Sequence, residues 1–182
     1  DDSSEAVQPV EIVRDAETRC GCAAGPVAVV AFGDGSIAMI TSGHVEHLQT
    51  EIDDRIECLD ILGHQPLELL IGTEPARLFR LAAGRAEPLE AFDGLDCQSS
   101  WYPPWGGPPA VRSLAHSGDC LYADIHVGSI MRSVDRGNSW EPVTAELHDD
   151  VHQVATCAAA PTSVYANTAD AVFVSEDRGQ SW

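Results

Sequence analysis

The chain contains no lysine; its ten basic residues are all arginine. Against them stand 29 aspartates and glutamates, giving a formal net charge of −19. A surface this acidic repels phosphate backbones and anionic headgroups, so neither a nucleic-acid partner nor a membrane surface is expected. Long hydrophobic runs are also missing. The longest, Val27–Phe32, falls far short of the roughly 20 residues a membrane helix needs, so no membrane insertion is expected. No stretch several turns long shows convincing helical periodicity, although Glu46–Leu62 is ambiguous. The six cysteines (20, 22, 58, 97, 120, 157) are scattered, and the one close pair, Cys20-Gly21-Cys22, has one intervening residue rather than the two of a zinc or redox pair. Small buried thiols are expected, with no disulfide framework, no metal site and no cofactor.

The sequence opens Asp1-Asp2-Ser3-Ser4, without Met or a signal pattern, so a missing or processed start is expected. The compartment reads as cytoplasmic, with secretion the alternative if a signal has been removed. The acidity fits a high-salt interior, where carboxylates keep the surface hydrated, and the absence of lysine fits GC-rich coding equally well. Its length of 182 residues suits one domain or one piece of a repeat array, and 44% hydrophobic residues are enough for a core.

Self-similarity then organises the chain. Ser133-Val134-Asp135-Arg136-Gly137-Asn138-Ser139-Trp140 returns 42 residues later as Ser175-Glu176-Asp177-Arg178-Gly179-Gln180-Ser181-Trp182. Strand-like pairs precede each copy: Leu121–Ala123 with Ile130-Met131, and Val164–Ala166 with Val172-Phe173. Weaker copies lie upstream, where Leu69–Thr73 and Arg77–Leu81 form a similar pair, and Val27–Phe32 and Ser36–Ile40 flank the turn Gly33-Asp34-Gly35. Equivalent apolar positions fall at Met39, Phe79, Met131 and Phe173, spaced 40, 52 and 42 residues apart. The long interval contains the Trp/Pro/Gly segment 101–109, whose prolines exclude a central strand.

A period near 40 with several short strands per repeat predicts an all-β chain, a β-propeller of four-stranded antiparallel blades. The approximate blades are 10–54, 55–98, 110–147 and 150–182, with 99–109 an inserted loop. About four blades are present, and an incomplete propeller is expected, the missing blades belonging to the same, longer chain. In the repeated motif, Ser133, Asp135, Gly137, Ser139 and Trp140, with Ser175, Asp177, Gly179, Ser181 and Trp182, are expected to hold turns rather than ligands. The Asp accepts backbone hydrogen bonds, the Gly takes a positive φ and the Trp packs on the sheet.

These two motifs resemble the Asp-box of BNR-repeat β-propellers, a group that includes sialidases, sorting-receptor ectodomains and photosystem assembly factors. Ile71–Ala76, Trp105–Ala115, His126–Ile130 and Asp150–Val154 are similar to segments of BNR-repeat glycosyl hydrolase-like proteins, so the resemblance covers about residues 65–182. A sialidase-type site would imply three arginines on a carboxylate, a tyrosine nucleophile with a glutamate partner, and an aspartate acid/base. The Arg-Ile-Pro signature of that site is absent, and Arg14, Arg19, Arg55 and Arg112 match no such motif. Of the three tyrosines, Tyr102, Tyr122 and Tyr165, the last two occupy equivalent repeat positions, which argues for packing.

With the repeats registered, Glu57, Arg112 and His152 share one position on the innermost strands of successive blades and are candidate ligand-binding residues. His126, in a turn on the same face, and Trp105, as an aromatic wall, complete the candidate set. The expected function is a binding or scaffold module with a protein or carbohydrate at the channel mouth. The alternative is an exo-sialidase-like glycoside hydrolase using Glu57 and a second carboxylate outside this chain. Metal capture by His126 and His152 depends on their side chains converging. His44 and His47 lack a third ligand and read as surface loop, and Asp53-Asp54 and Asp149-Asp150 read as solvated loops.

Overall fold

The computed structural model of the chain describes residues 17–143 and 147–182. Arg14, and the part of the expected first blade before residue 17, lie outside them.

Each repeat folds as an antiparallel meander. Blade 1 comprises β1 (Thr18–Ala24), β2 (Val27–Phe32), β3 (Ile37–Thr41) and β4 (His44–Leu48). Blade 2 comprises β5 (Arg55–His64), β6 (Leu67–Glu74), β7 (Leu78–Ala82) and β8 (Arg85–Pro88). A single helical turn, α1 (Glu90–Asp93), and a 3₁₀ turn (Asp96–Ser100) lead to blade 3. Its strands are β9 (Val111–Ser117), β10 (Cys120–Ile125), β11 (Ser129–Ser133) and the short β12 (Glu141–Pro142). Blade 4 has three strands among the described residues, β13 (Val151–Cys157), β14 (Ala160–Thr168) and β15 (Val172–Ser175). The four sheets form a four-blade β-propeller, with the first strands adjacent in the order β1, β5, β9, β13.

The repeat register read from the sequence matches the strand pairing. Met39, Phe79, Met131 and Phe173 all lie on third strands, opposite Val29, Ile71, Ala123 and Ala166 of the second strands. The ambiguous segment resolves into β4, a loop and β5, so His44 and His47 stand on a strand rather than in a loop. A separation of three along a strand points their side chains to opposite faces.

The second strands of the two middle blades, β6 and β10, are apolar on both faces because both faces are covered. On β10, Leu121, Ala123 and Ile125 pack toward blade 2, while Cys120 and Tyr122 pack toward blade 4. The core is thus three apolar layers, one between each successive pair of blades. Each fully buried Leu or Ile in them contributes roughly 1.5–3 kcal/mol. Where β6 meets β9 the fit is tight enough that a Cβ on Gly72 would lie 2.6 Å from Cys58 Sγ and 2.7 Å from Val111 Cγ1. Polar ties run along the inner strands as well. Ser113 Oγ donates to Val154 O (3.2 Å) and accepts from Val154 N (3.1 Å), and Thr156 Oγ1 donates to His116 O (2.6 Å).

The two repeated motifs build near-identical loops after the third strands. Asp135 Oδ1 accepts from Ser133 Oγ (2.8 Å) and Ser139 N (2.9 Å), and Oδ2 accepts from Ser139 Oγ (2.7 Å). Asp177 repeats this with Ser175 Oγ (2.8 Å), Ser181 N (2.8 Å) and Ser181 Oγ (2.6 Å). Arg136-Gly137 and Arg178-Gly179 each take two consecutive positive φ angles. Blades 1 and 2 make the same reversal with two residues, Ser42-Gly43 and Ala83-Gly84, also at positive φ. A two-residue turn of this hand needs no side-chain clamp, which explains why the motif is absent from the first two repeats.

Two packing expectations change. Tyr122 is fully buried, but Tyr165 is exposed together with Val172 and Val174 on blade 4. The thiols are not uniformly buried either: Cys58 and Cys120 are, whereas Cys157 is exposed, and all six are free. No helix among the described residues is long and apolar enough to cross a membrane.

Candidate ligand site at the channel mouth

Every innermost strand carries a bulge at the same place. The register skips Arg19 between Thr18 and Cys20, Glu57 between Ile56 and Cys58, Arg112 between Val111 and Ser113, and His152 between Val151 and Gln153. A bulged residue leaves the ladder and its side chain is re-aimed. Four equivalent bulges therefore turn four polar side chains toward one mouth of the central channel. The residues before three of them, Ile56, Val111 and Val151, are buried and anchor the strand.

Glu57 is the hub. Its Oε1 receives Arg19 Nη2 at 2.7 Å and Arg55 Nε at 2.6 Å, and its Oε2 receives Arg112 Nη1 at 2.7 Å. The Glu57 side chain is only 7% exposed, against 38% for Arg112 and 46% for Arg55. Glu74, at the end of β6, holds Arg55 Nη2 at 2.5 Å. With Asp150 included, three guanidiniums face three carboxylates, so the mouth is charge-balanced inside a strongly acidic chain. Pairing with arginine offsets the cost of withdrawing the Glu57 and Glu74 carboxylates from water.

The second half of the mouth is aromatic and imidazole-rich. The loop before β9 is pinned to the β10–β11 turn by His126 N donating to Ala110 O (3.0 Å) and Tyr102 N donating to Val127 O (3.3 Å). Gly106 and Gly107, both at positive φ, reverse the loop. Trp105 is brought over His126, with ring centroids 4.6 Å apart, yet stays 61% exposed. His126 and His152 face each other edge-on at 6.2 Å. Trp105, His126, Arg112, Arg55 and Glu74 surround a cavity of about 230 Å³. Burial, then the positive charge of Arg112, lowers the pKa of His126, opposed by Asp150. A larger cleft of about 490 Å³ lies away from the mouth, and its Arg85 and Glu87 are exposed and pair with each other at 3.4 Å.

The five residues singled out from the sequence thus lie around one mouth: Glu57 with Arg112, Trp105 with His126, and His126 with His152. Four further residues beside it were not assigned to it. Arg19 and Arg55 carried no motif, and Arg19 becomes recognisable only through the repeat, as the polar residue following a β-branched one in Thr18-Arg19, Ile56-Glu57, Val111-Arg112 and Val151-His152. Asp150, read as a solvated loop residue, instead points its Oδ1 at both imidazoles, 3.3 Å from His152 Nε2 and 3.8 Å from His126 Nε2. Asp124 on β10 left no sequence signal. It is fully buried, and neither carboxyl oxygen has a hydrogen-bond partner among the described residues. Burial, reinforced by the charge of Asp150, raises it well above the usual carboxylate range, with Arg112 pulling the other way.

No protein-family model matches the chain. No curated protein matches it. Its likeness to solved structures is one of fold. An ancestral GH74 enzyme superposes with a TM-score of 0.65 at 12% identity over 95% of this chain and 24% of that one. YCF48 bound to D1 peptide gives 0.56 at 17% identity over 75% of this chain and 41% of that one. The computationally designed Ika4 protein gives 0.62 at 13% identity, covering 92% of this chain and 98% of that one. The chain thus spans about a quarter of the GH74 enzyme and less than half of YCF48, and what it shares with all three is the propeller.

Proposed function

We propose that the chain is a BNR/Asp-box propeller serving as a binding or scaffold module, with a ligand or partner seated at the channel mouth. The observation that carries this reading is the set of four matching bulges, which converge polar side chains beside an exposed tryptophan without leaving a free catalytic pair. Both oxygens of Glu57 are engaged by arginines, so it does not stand ready as the acid or base of a glycoside hydrolase. Of the other carboxyls near the mouth, Glu74 is held by Arg55, Asp150 faces the two imidazoles and Asp124 is fully buried. Trp105 and the half-exposed Arg112 instead offer a stacking surface and a charged donor, the pairing that binds peptides or sugars. A structural neighbour with a bound peptide, YCF48, is consistent with a binding role.

The test is an array of peptides and glycans probed with the chain and with a Trp105→Ala/Arg112→Ala variant. Binders lost in the variant, with its native fold retained by circular dichroism, support the mouth as the site. Binders indifferent to both substitutions, or turnover of an arrayed glycan, overturn the reading.

A further inference from the structure

We propose that His126, Asp150 and His152 form a binding site for one divalent transition-metal ion of the zinc class. The inference rests on the reading of the mouth as a ligand site and names one ligand it takes.

The donor atoms already converge. One nitrogen from each imidazole and one Asp150 oxygen all lie within 4.8 Å of one another. His152 Nε2 lies 3.3 Å from Asp150 Oδ1, and His126 Nε2 lies 3.8 Å from the same oxygen. A tetrahedral shell with bonds of about 2.0–2.2 Å places its ligands roughly 3.3–3.6 Å apart, so adjustments of about an ångström would close the site. Two imidazoles and a carboxylate suit zinc, nickel, copper or iron; calcium and magnesium demand oxygen-rich shells.

A second observation points the same way. Asp150 Oδ1 is buried and makes no hydrogen bond among the described residues. An ionised oxygen withdrawn from water without a donor is costly, and a cation answers that cost directly. The three residues come from separate places: His126 from the β10–β11 turn, Asp150 from the approach to β13, and His152 from the β13 bulge. Sequence proximity does not account for their convergence, since only Asp150 and His152 are near neighbours. All three remain partly open, at 24%, 31% and 49% side-chain exposure, so an ion can enter. Three protein ligands leave at least one coordination position open, next to Trp105 and Arg112.

Cobalt(II) added to the tag-free chain should give one equivalent of visible absorption in the ligand-field region, competed away by zinc. His152→Ala and Asp150→Asn should each weaken uptake by more than about 100-fold, beyond the 10–100-fold cost of losing a group that only orients a ligand. A His44→Ala/His47→Ala control should bind as the parent does. Circular dichroism of each variant separates lost ligation from lost folding. No uptake, or uptake indifferent to His152 and Asp150, overturns the metal site and leaves a plain histidine–aspartate ion pair. If uptake fails while array binders still depend on Trp105 and Arg112, the metal inference falls and the mouth reading stands.

Discussion

Arg19 and Arg112 stand on blades 1 and 3, yet each donates at 2.7 Å to a different oxygen of Glu57 on the blade between them. One carboxylate thereby ties three blades at the channel mouth. Glu57→Gln should destabilise the chain by about 2–4 kcal/mol, somewhat below the cost of breaking a fully buried pair because the arginines keep partial contact with water. Urea unfolding measures this. A Glu57→Gln/Arg112→Gln double variant should lose less than the sum of the two single changes, since each removes the same contact.

The fold was legible because repetition averages over local noise. Two copies of an eight-residue motif fixed the period, and Met39, Phe79, Met131 and Phe173 fixed the third strands. Glu57, Arg112 and His152 followed from that register. Arg19 did not, because its strand has Thr18 where the others place the apolar anchors Ile56, Val111 and Val151 just before the bulged residue. Asp150 and Asp124 were illegible for a different reason. Their meaning depends on which groups another blade or turn brings beside them, and an acidic residue in a chain with 29 of them has no distinguishing neighbours in sequence.

The His116–Asp60 pair links β9 to β5 deeper along the inner strands, with His116 Nδ1 donating to Asp60 Oδ2 at 2.7 Å. That hydrogen bond raises the His116 pKa above its ordinary 6.5, against the opposing effects of burial and Arg136. A raised folded-state pKa gives stability that is complete below the unfolded value and fades as pH rises through the folded one. Stability measured from about pH 6 upward should therefore decline through this window. Asp60→Asn should flatten that part of the profile, and an unchanged slope would assign it to other groups.

Asp135 and Asp177 act at the acid end. Hydrogen bonds, first from Ser139 and Ser181, hold both carboxyls below the ordinary value of 3.8. A lowered folded-state pKa gives stability that is present above the unfolded value and lost as pH falls through the folded one. Acid titration of the native chain should show a loss beginning below about pH 4. Asp135→Asn/Asp177→Asn should remove much of that acid-side slope.

Two tryptophans separate packing from binding. Trp140 is 8% exposed and meets the buried Phe92 ring edge-on at 5.3 Å, whereas Trp105 is 61% exposed. Trp140→Ala should cost about 3–5 kcal/mol, as other buried aromatic truncations do. Trp105→Ala should stay within about 0.5 kcal/mol of the parent, as substitutions on open surface do. Paired chemical-denaturation curves check both values, and a large loss at Trp105 would make its loop part of the core instead of a wall of the site.

Thiol chemistry offers a readout of the blade interfaces themselves. Burial pushes the Cys20 thiol up to about 11 and that of Cys22 to about 12, and holds the fully buried Cys58 well above its ordinary value. Cys120 is buried and Cys97 is raised by the same desolvation. Because the thiolate is the reactive form and access limits the rest, only the exposed Cys157 should react quickly with an aromatic disulfide reagent near neutral pH. One equivalent should be modified in a fast phase that Cys157→Ser abolishes, and the remaining five should follow only in denaturant. A second fast thiol at Cys58 would mean that the contact between β5 and β9, where Cys58 Sγ donates to Val111 O at 3.3 Å, opens in the native state.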